Sequence, residues 1–290
     1  MLNRRSFIKN SIFAAGAVSL GITEITYAAD GDVTRWALLS DTHIPADRAL
    51  QNRGFFITQN LDKLLPQVVK SKPDGIGITG DIALTRGLPE DYVVAKEYVE
   101  QMAKIAPVYM ALGNHDNYKN FTAAFPATPG EKASVKGKHI TVVNVAPIRL
   151  IFLDSLQITN NTAGLLGQAQ RNWLDQYLKE SDNTPTLLLL HHTFGESDGA
   201  LLDDIRFFRI VTAQRKVKAI IYGHSHNYNF NKQSDLDLIN LPSTAYNFAA
   251  SVPVGWVDAT FTATGAKLKL NAVAGNKADD GKVTEITWRV

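Results

Sequence analysis

Six of the seven histidines fall in four short segments, each just after an apolar run: Asp41-Thr42-His43, Gly113-Asn114-His115-Asp116, His191-His192 and Gly223-His224-Ser225-His226. A fifth segment, Gly80-Asp81, has the same placement without a histidine. Imidazole nitrogens with carboxylate and amide oxygens, gathered at strand ends, point to a two-metal hydrolytic centre. Asp41, His43, Asp81, Asn114, His191, His224 and His226 supply seven donors. That number suits two ions sharing a bridging carboxylate and would leave several donors idle around one. Residues i and i+2 of extended chain project to one side, so Asp41 with His43, and His224 with His226, are each predicted to present two ligand heads to one cavity. Glycines at 80, 113 and 223 precede ligands, where a missing side chain lets backbone approach the cavity or turn tightly. Taken singly these motifs are weak, because Asp-x-His and Gly-Asp recur in ordinary turns. Their order and common placement carry the inference.

The elements that must position them alternate along the chain. Runs 34–39, 75–78, 108–112, 150–153, 187–190 and 217–222 are short, continuous and rich in branched or aromatic residues, as in strands buried on both faces. Between them, 55–70, 89–104, 166–179 and 201–211 space apolar residues three and four apart and predict covering helices, with Pro66 a kink or break in the first. Beyond about residue 236 the pattern becomes strand-like at 236–241, 255–262, 266–273 and 282–289, with turns at Thr264-Gly265 and Asp279-Asp280-Gly281. The expected architecture is α/β, two β-sheets packed together with helices outside. Every candidate segment then sits at the carboxyl end of a strand, where ligands gather in open α/β folds. His139 is expected on an exposed strand, Asp154 in a turn or cap, and Asn117, Asn227, Tyr228 and Asn229 in solvated loops.

Composition narrows the chemistry. The chain has 290 residues and no cysteine, which excludes disulfides, thiolate catalysis and cysteine-ligated metal. Asn3-Arg4-Arg5-Ser6-Phe7-Ile8-Lys9, the weakly apolar run 11–23 and Thr26-Tyr27-Ala28 resemble a twin-arginine signal peptide with a small-x-small cleavage pattern. The expectation is a signal at 1–28 read by the twin-arginine export machinery, and one domain over 29–290, periplasmic or secreted. The run is too short and too rich in glycine and alanine for a permanent membrane span. The formal charge is +2, but Arg4, Arg5 and Lys9 against Glu24 account for all of it. A neutral remainder offers no electrostatic reason to expect nucleic acid as a partner.

The series DxH, GD, GNHD, H and GHxH, over residues 34 to about 230, resembles that of the calcineurin-like metallophosphoesterases. The resemblance implies a four-layer α/β/β/α sandwich built on two packed mixed sheets. It implies that Asp41, His43 and His226 hold a first metal, that Asn114, His191 and His224 hold a second, and that Asp81 bridges them. It also gives His115 the role of proton donor or transition-state stabiliser, oriented by Asp116. The implied cofactors are two divalent or mixed-valence ions, and manganese, iron or zinc would suit these ligands. Gly87-Leu88-Pro89-Glu90-Asp91-Tyr92 and Gln170-Arg171-Asn172-Trp173-Leu174 look like the subgroup of cyclic-nucleotide and glycerophosphodiester phosphodiesterases. Leu84 stands where a purple acid phosphatase needs its metal-binding tyrosine. The expected activity is hydrolysis of a small phosphate ester, a diester first, by a metal-bridging hydroxide attacking phosphorus in line. The alternatives are an exported phosphomonoesterase and a catalytically retired metal-binding protein of the same fold.

Overall fold

Local pattern and tertiary packing agree over most of the chain. The computed structural model describes residues 32–290, so the twin-arginine segment and its cleavage pattern lie outside the described residues. In chain order the elements are β1 (Val33–Leu39), β2 (Gln51–Asn52), β3 (Phe55–Phe56), α1 (Ile57–Ser71), β4 (Gly75–Ile78), α2 (Pro89–Ala103), β5 (Val108–Met110), α3 (Tyr118–Ala124), β6 (Glu131–Lys132), β7 (Thr141–Val145) and β8 (Ile148–Phe152). They continue with α4 (Gly167–Glu180), β9 (Thr186–Leu189), α5 (Asp204–Thr212), β10 (Val217–Tyr222), β11 (Asn229–Gln233), β12 (Leu236–Asn240), β13 (Pro253–Thr262), β14 (Gly265–Gly275) and β15 (Val283–Thr287).

Two mixed sheets result. One runs β15-β14-β13-β1-β4-β5 and the other β11-β12-β10-β9-β8-β7-β6. In each, the strands that end at candidate ligands are parallel: β1, β4 and β5 in the first, β9 and β10 in the second. Their carboxyl ends therefore open on one side. The β-rich tail completes both sheets, since β13 pairs antiparallel with β1 and β12 pairs parallel with β10.

Alternation along the strands sorts side chains into three apolar layers. Ala37 and Leu39 of β1 face α1 and α2, packing with Leu61, Leu64, Val68 and Tyr92. Trp36 and Leu38 face the other way, into an inter-sheet core with Phe152, Leu189, Ile221 and Phe261. Ile151, Leu188 and Ile220 meet Leu174, Leu178, Phe207 and Val211 of α4 and α5. Each fully buried Leu, Ile or Val contributes about 1.5–3 kcal/mol. The four layers are thus helix, sheet, sheet, helix.

Three expectations need correction. Tyr228 and Asn229 are not in a solvated loop, since Tyr228 packs against the inter-sheet core and Asn229 opens β11. Pro66 lies inside α1 without breaking it, because it falls on the exposed face, where the carbonyl it leaves unpaired can meet solvent while Leu61, Leu64 and Val68 stay seated. His139 is not on an exposed strand. It follows the Lys136-Gly137 turn, packs edge-on against Phe121 at 4.9 Å, and is held down at about 4 by burial and by Lys132.

Candidate metal centre

The loops after five parallel strands are laced together by main-chain bonds. The Asp41 amide donates to the Gly80 carbonyl at 3.1 Å, that of His43 to Asp81 at 2.8 Å, and that of Gly223 to His191 at 3.0 Å. These bonds extend the sheet pairing past the last strand residues and bring Asp41, His43, Asp81, Asn114, His191, His224 and His226 into one buried cluster. Two glycines make the approach possible. A Cβ on Gly113 would overlap the Asp81 carboxylate, and one on Gly223 would overlap the Ser40 hydroxyl and the Asp41 carboxylate.

The ligand pairs converge by a different route from the extended one expected. Asp41, His43, Asp81, His224 and His226 have φ of 50°, 42°, 50°, 69° and 54°. Five of the nine described non-glycine residues with positive φ are therefore candidate ligands. Each such conformation costs roughly 1–2 kcal/mol for an L-residue, and its concentration here marks backbone held by surrounding bonds for the sake of side-chain aim.

Three overlapping groups of donors lie within reach of single cations: Asp41, His43 and His226; His43, Asp81 and His115; Asp81, His191 and His224. In the first group, His226 Nε2 lies 3.4 Å from Asp41 Oδ1 and 3.0 Å from His43 Nε2. In the last, His191 Nε2 lies 3.2 Å from Asp81 Oδ2, 3.1 Å from Asn114 Oδ1 and 3.2 Å from His224 Nδ1. Main-chain carbonyls assign the tautomers. The Nδ1–H groups of His43, His191 and His226 donate to Leu84, Thr79 and Tyr246 carbonyls at 3.0, 3.1 and 2.6 Å. That leaves the Nε2 lone pairs facing inward, the arrangement found behind metal-bound histidines. Between His43 and His226 two such lone pairs confront each other, and a cation relieves that opposition. The nitrogen and oxygen donors suit first-row metals.

Charge follows the same geometry. Burial lowers His43, His224 and His226 to about 4, so these rings are neutral and ready to coordinate. Burial also opposes charge on His191, yet Asp81 and Asp41 together raise it to about 9. Burial works against an ionised Asp81 as well, but His191, His43 and His115 hold it well below the usual carboxylate range. Without a metal, a proton on His191 occupies the place a cation would take.

All nine predicted site residues reach this neighbourhood, but one takes a different part. His115 is partly open, with its side chain 26% exposed, and its Nε2 stands 4.0 Å from Asp81 Oδ2. Its ring is held by the Thr85 carbonyl, 2.8 Å from Nδ1, not by Asp116. The Asp116 carboxylate instead accepts from the amides of Gly113, Ile82 and Ala83 at 2.9–3.2 Å and from the Tyr92 hydroxyl at 2.9 Å. It ties the Gly-Asp loop to the Gly-Asn-His-Asp loop. A carboxylate filled by those donors has no capacity left for a ring on the other side. His192 is buried behind the centre, its Nδ1 2.7 Å from Ser155 Oγ. Asp154 accepts from the amides of His139 and, two residues on, Leu156, a turn role within the expected turn or cap. Asn117 is the N-cap of α3.

Sequence reasoning missed Tyr246 and Phe248. Both come from the loop after β12, with Tyr246 stacked on His43 at 5.0 Å and Phe248 tilted over His226 at 4.4 Å. They wall a cavity of about 350 Å³ together with His43, Asp81, Asn114 and His115. Ser40 was missed too. Its hydroxyl donates to the Asp41 carboxylate and accepts from Thr79. An isolated aromatic in a loop, or a serine at a strand end, carries no signal separable from packing.

Comparison with known proteins bears on the same residues. A probable cyclic nucleotide phosphodiesterase from Synechococcus sp. is 28% identical over 254 residues, covering 84% of this chain and 88% of that protein. A 3',5'-cyclic-nucleotide phosphodiesterase from Nostoc sp. is 25% identical over 222 residues, 73% of this chain and 79% of that one. A glycerophosphodiester phosphodiesterase from Enterobacter lignolyticus is 25% identical over 185 residues, 61% and 65% of the two chains. Among solved structures, a dimetal phosphatase from Danio rerio shares the fold with a TM-score of 0.68 at 14% identity, covering 89% of this chain and all of that one. The calcineurin-like phosphoesterase family model matches residues 34–228, which contain all seven donors, and this chain belongs to the calcineurin-like phosphoesterase family.

Proposed function

We propose that the chain is a binuclear metal-dependent hydrolase of phosphodiesters that is exported by the twin-arginine route. The observation that carries the reading is the pair of inward lone pairs on His43 and His226, 3.0 Å apart, beside an Asp81 carboxylate that belongs to donor groups on both sides. Asp41, His43 and His226 would hold one ion, Asn114, His191 and His224 the other, and Asp81 both. Manganese, iron or zinc fits that set. When bound, such ions supply Lewis-acid stabilisation of developing charge and lower the pKa of an attacking water.

The chain's own residues do the rest. Carbonyls of Leu84, Thr79 and Tyr246 keep the ligand rings in the coordinating tautomer. Tyr246 and Phe248 give one flank of the cavity an aromatic wall. His115, anchored by Thr85, presents Nε2 to the cavity and can deliver a proton to the departing alkoxide oxygen. The diester preference is supported by relatives that carry phosphodiesterase names, and the export route by the Asn3–Lys9 segment.

The test is turnover of bis(p-nitrophenyl) phosphate and p-nitrophenyl phosphate by metal-reconstituted protein, with total metal measured on the same sample. Two ions per chain and faster diester turnover are expected. Monoester preference would reassign the substrate, and inactivity with two ions bound would leave a retired metal-binding protein. Recovery of the chain only from the cytoplasm, after fractionation, would overturn export.

A further inference from the structure

A second cleft, about 550 Å³, opens beside the metal centre where the helix layer stops short of the sheet edge. Its wall is the outer face of β11, the edge strand, and its opposite side is α5. Asn227, Asn229, Asn231 and Gln233 alternate along the chain and all line it. Between them Tyr228 and Phe230 turn the other way, into the inter-sheet core. This period of two is that of a strand, so the amides form a row, with about 13 Å between Asn229 and Gln233. The row is ordered: the Asn231 amide nitrogen donates to Asn229 Oδ1 at 3.0 Å. Phe208 and Tyr222 form an aromatic floor.

Three features define what the cleft would take. No lysine or arginine lines it, and its single carboxylate, Asp204, is engaged by the Gly195 amide at 2.9 Å, so nothing in the cleft calls for an anionic group. Each primary amide carries both donors and an acceptor, matching hydroxyls, which also do both. A file of four amides along one edge suits a chain of hydroxyls, whereas a nucleobase edge would engage one or two. The cleft also joins the metal centre, because Thr193 and Ser225 line both cavities and Asn227 directly follows His226.

From this geometry we infer that the amide row on β11 binds the polyhydroxylated, glycosyl-like alcohol portion of a phosphodiester whose phosphate lies at the metals. The inference rests on the phosphodiester reading above and names the substrate's alcohol side. It is tested with the metal-loaded full chain and three diesters, a hexosyl methyl phosphate, the cyclohexyl methyl phosphate of similar size without hydroxyls, and bis(p-nitrophenyl) phosphate, with adenosine methyl phosphate run beside them as the nucleobase arm.

Asn229→Ala/Asn231→Ala is expected to raise KM for the hexosyl diester about tenfold, from two lost hydrogen bonds, with the other two substrates changed less than twofold. Equal effects on the hexosyl and cyclohexyl diesters, or none on either, would overturn the assignment. So would a larger loss on an adenosine methyl diester, which would make the cleft a nucleobase site. Should the wild type hydrolyse no diester at all, the phosphodiester reading fails, and saturation-transfer NMR with methyl glucoside decides the cleft on its own. Transfer that disappears in the double variant supports it, and absence of transfer sinks it. Asn229→Ser/Asn231→Ser, checked by thermal melting, replaces the alanine pair if that pair fails to fold.

Discussion

The Asp81 carboxylate lies 3.2 Å from Nε2 of His191, and each sets the other's charge. Burial alone would neutralise both; together they remain an ion pair, with Asp81 held low and His191 held up at about 9. The same Asp81 accepts the His115 amide at 2.8 Å and reaches His43 at 3.8 Å. It is the one carboxylate common to two of the donor groups.

Asp81→Ala is therefore expected to lose bound metal and turnover together. His115→Ala should keep its metal, because its ring is partly exposed and lies outside the seven donors, while turnover falls about a hundredfold or more, the usual worth of a positioned proton donor. Metal analysis beside steady-state kinetics on both variants checks this. Equal metal loss would show that His115 is a ligand.

The metal-free chain should be most stable near neutral pH and weaken in both directions. His43, His224 and His226 have folded-state values near 4, below their unfolded 6.5, so stability is present above 6.5 and lost as pH falls through 4. His191 is raised to about 9, so its contribution is full below 6.5 and lost as pH rises through 9. Thermal melts of chelator-treated protein across that range should show the two limbs, and His191→Gln should remove the alkaline one. Metal binding at pH 7 should also release about one proton, read by calorimetry in buffers of different ionisation enthalpy. A melting temperature flat from pH 5 to 10 would contradict the charge assignment.

Gly223→Ala places a methyl where the Ser40 hydroxyl and Asp41 carboxylate already stand. Relief requires the strand ends to move apart, at about 1–3 kcal/mol, and displaces Asp41 from His226. The expected result is a lowered melting temperature with weakened metal uptake, measured on one preparation. Wild-type affinity would show that the loops are looser than the packing implies.

Asp116→Ala should behave as a structural lesion. It strands three main-chain amides and the Tyr92 hydroxyl inside the protein, and losing such a buried partner costs about 3 kcal/mol or more. Tyr92→Phe, which removes one donor to Asp116 and leaves the Asn117 amide without its acceptor at 3.0 Å, should cost about 1–3 kcal/mol. His115→Ala should barely move the denaturant midpoint. If Asp116→Ala leaves stability intact and reproduces only the kinetic defect of His115→Ala, then Asp116 acts through that ring after all.

Local pattern revealed the long elements well. The four main helices and most of the buried strands lie close to the spans that periodicity predicts, because a strand covered on both faces or a helix covered on one must show it in residue type; β7, although its first three residues are buried, falls outside every predicted run. The short or polar pieces were invisible for the opposite reason. Strand β11 reads Asn229-Phe230-Asn231-Lys232-Gln233, an edge with one solvated face, and α3 has only seven residues. Periodicity over so few positions does not separate strand, helix and loop.

For the centre itself, the amino-acid order alone determined which donors exist, their placement after buried strands, and the exclusion of thiolate ligands by the absence of cysteine. Those follow from side-chain chemistry and from burial, both legible residue by residue. Only the tertiary structure decided that five ligands sit at positive φ, that Thr85 orients His115, that Asp116 binds two loops together, and that Tyr246 and Phe248 wall the cavity. Each of these depends on hydrogen bonds or ring contacts between segments far apart in sequence. The free energy that holds a backbone in an unfavourable conformation, or turns a ring toward a carbonyl, comes from the partner segment and has no signature in the residues it constrains.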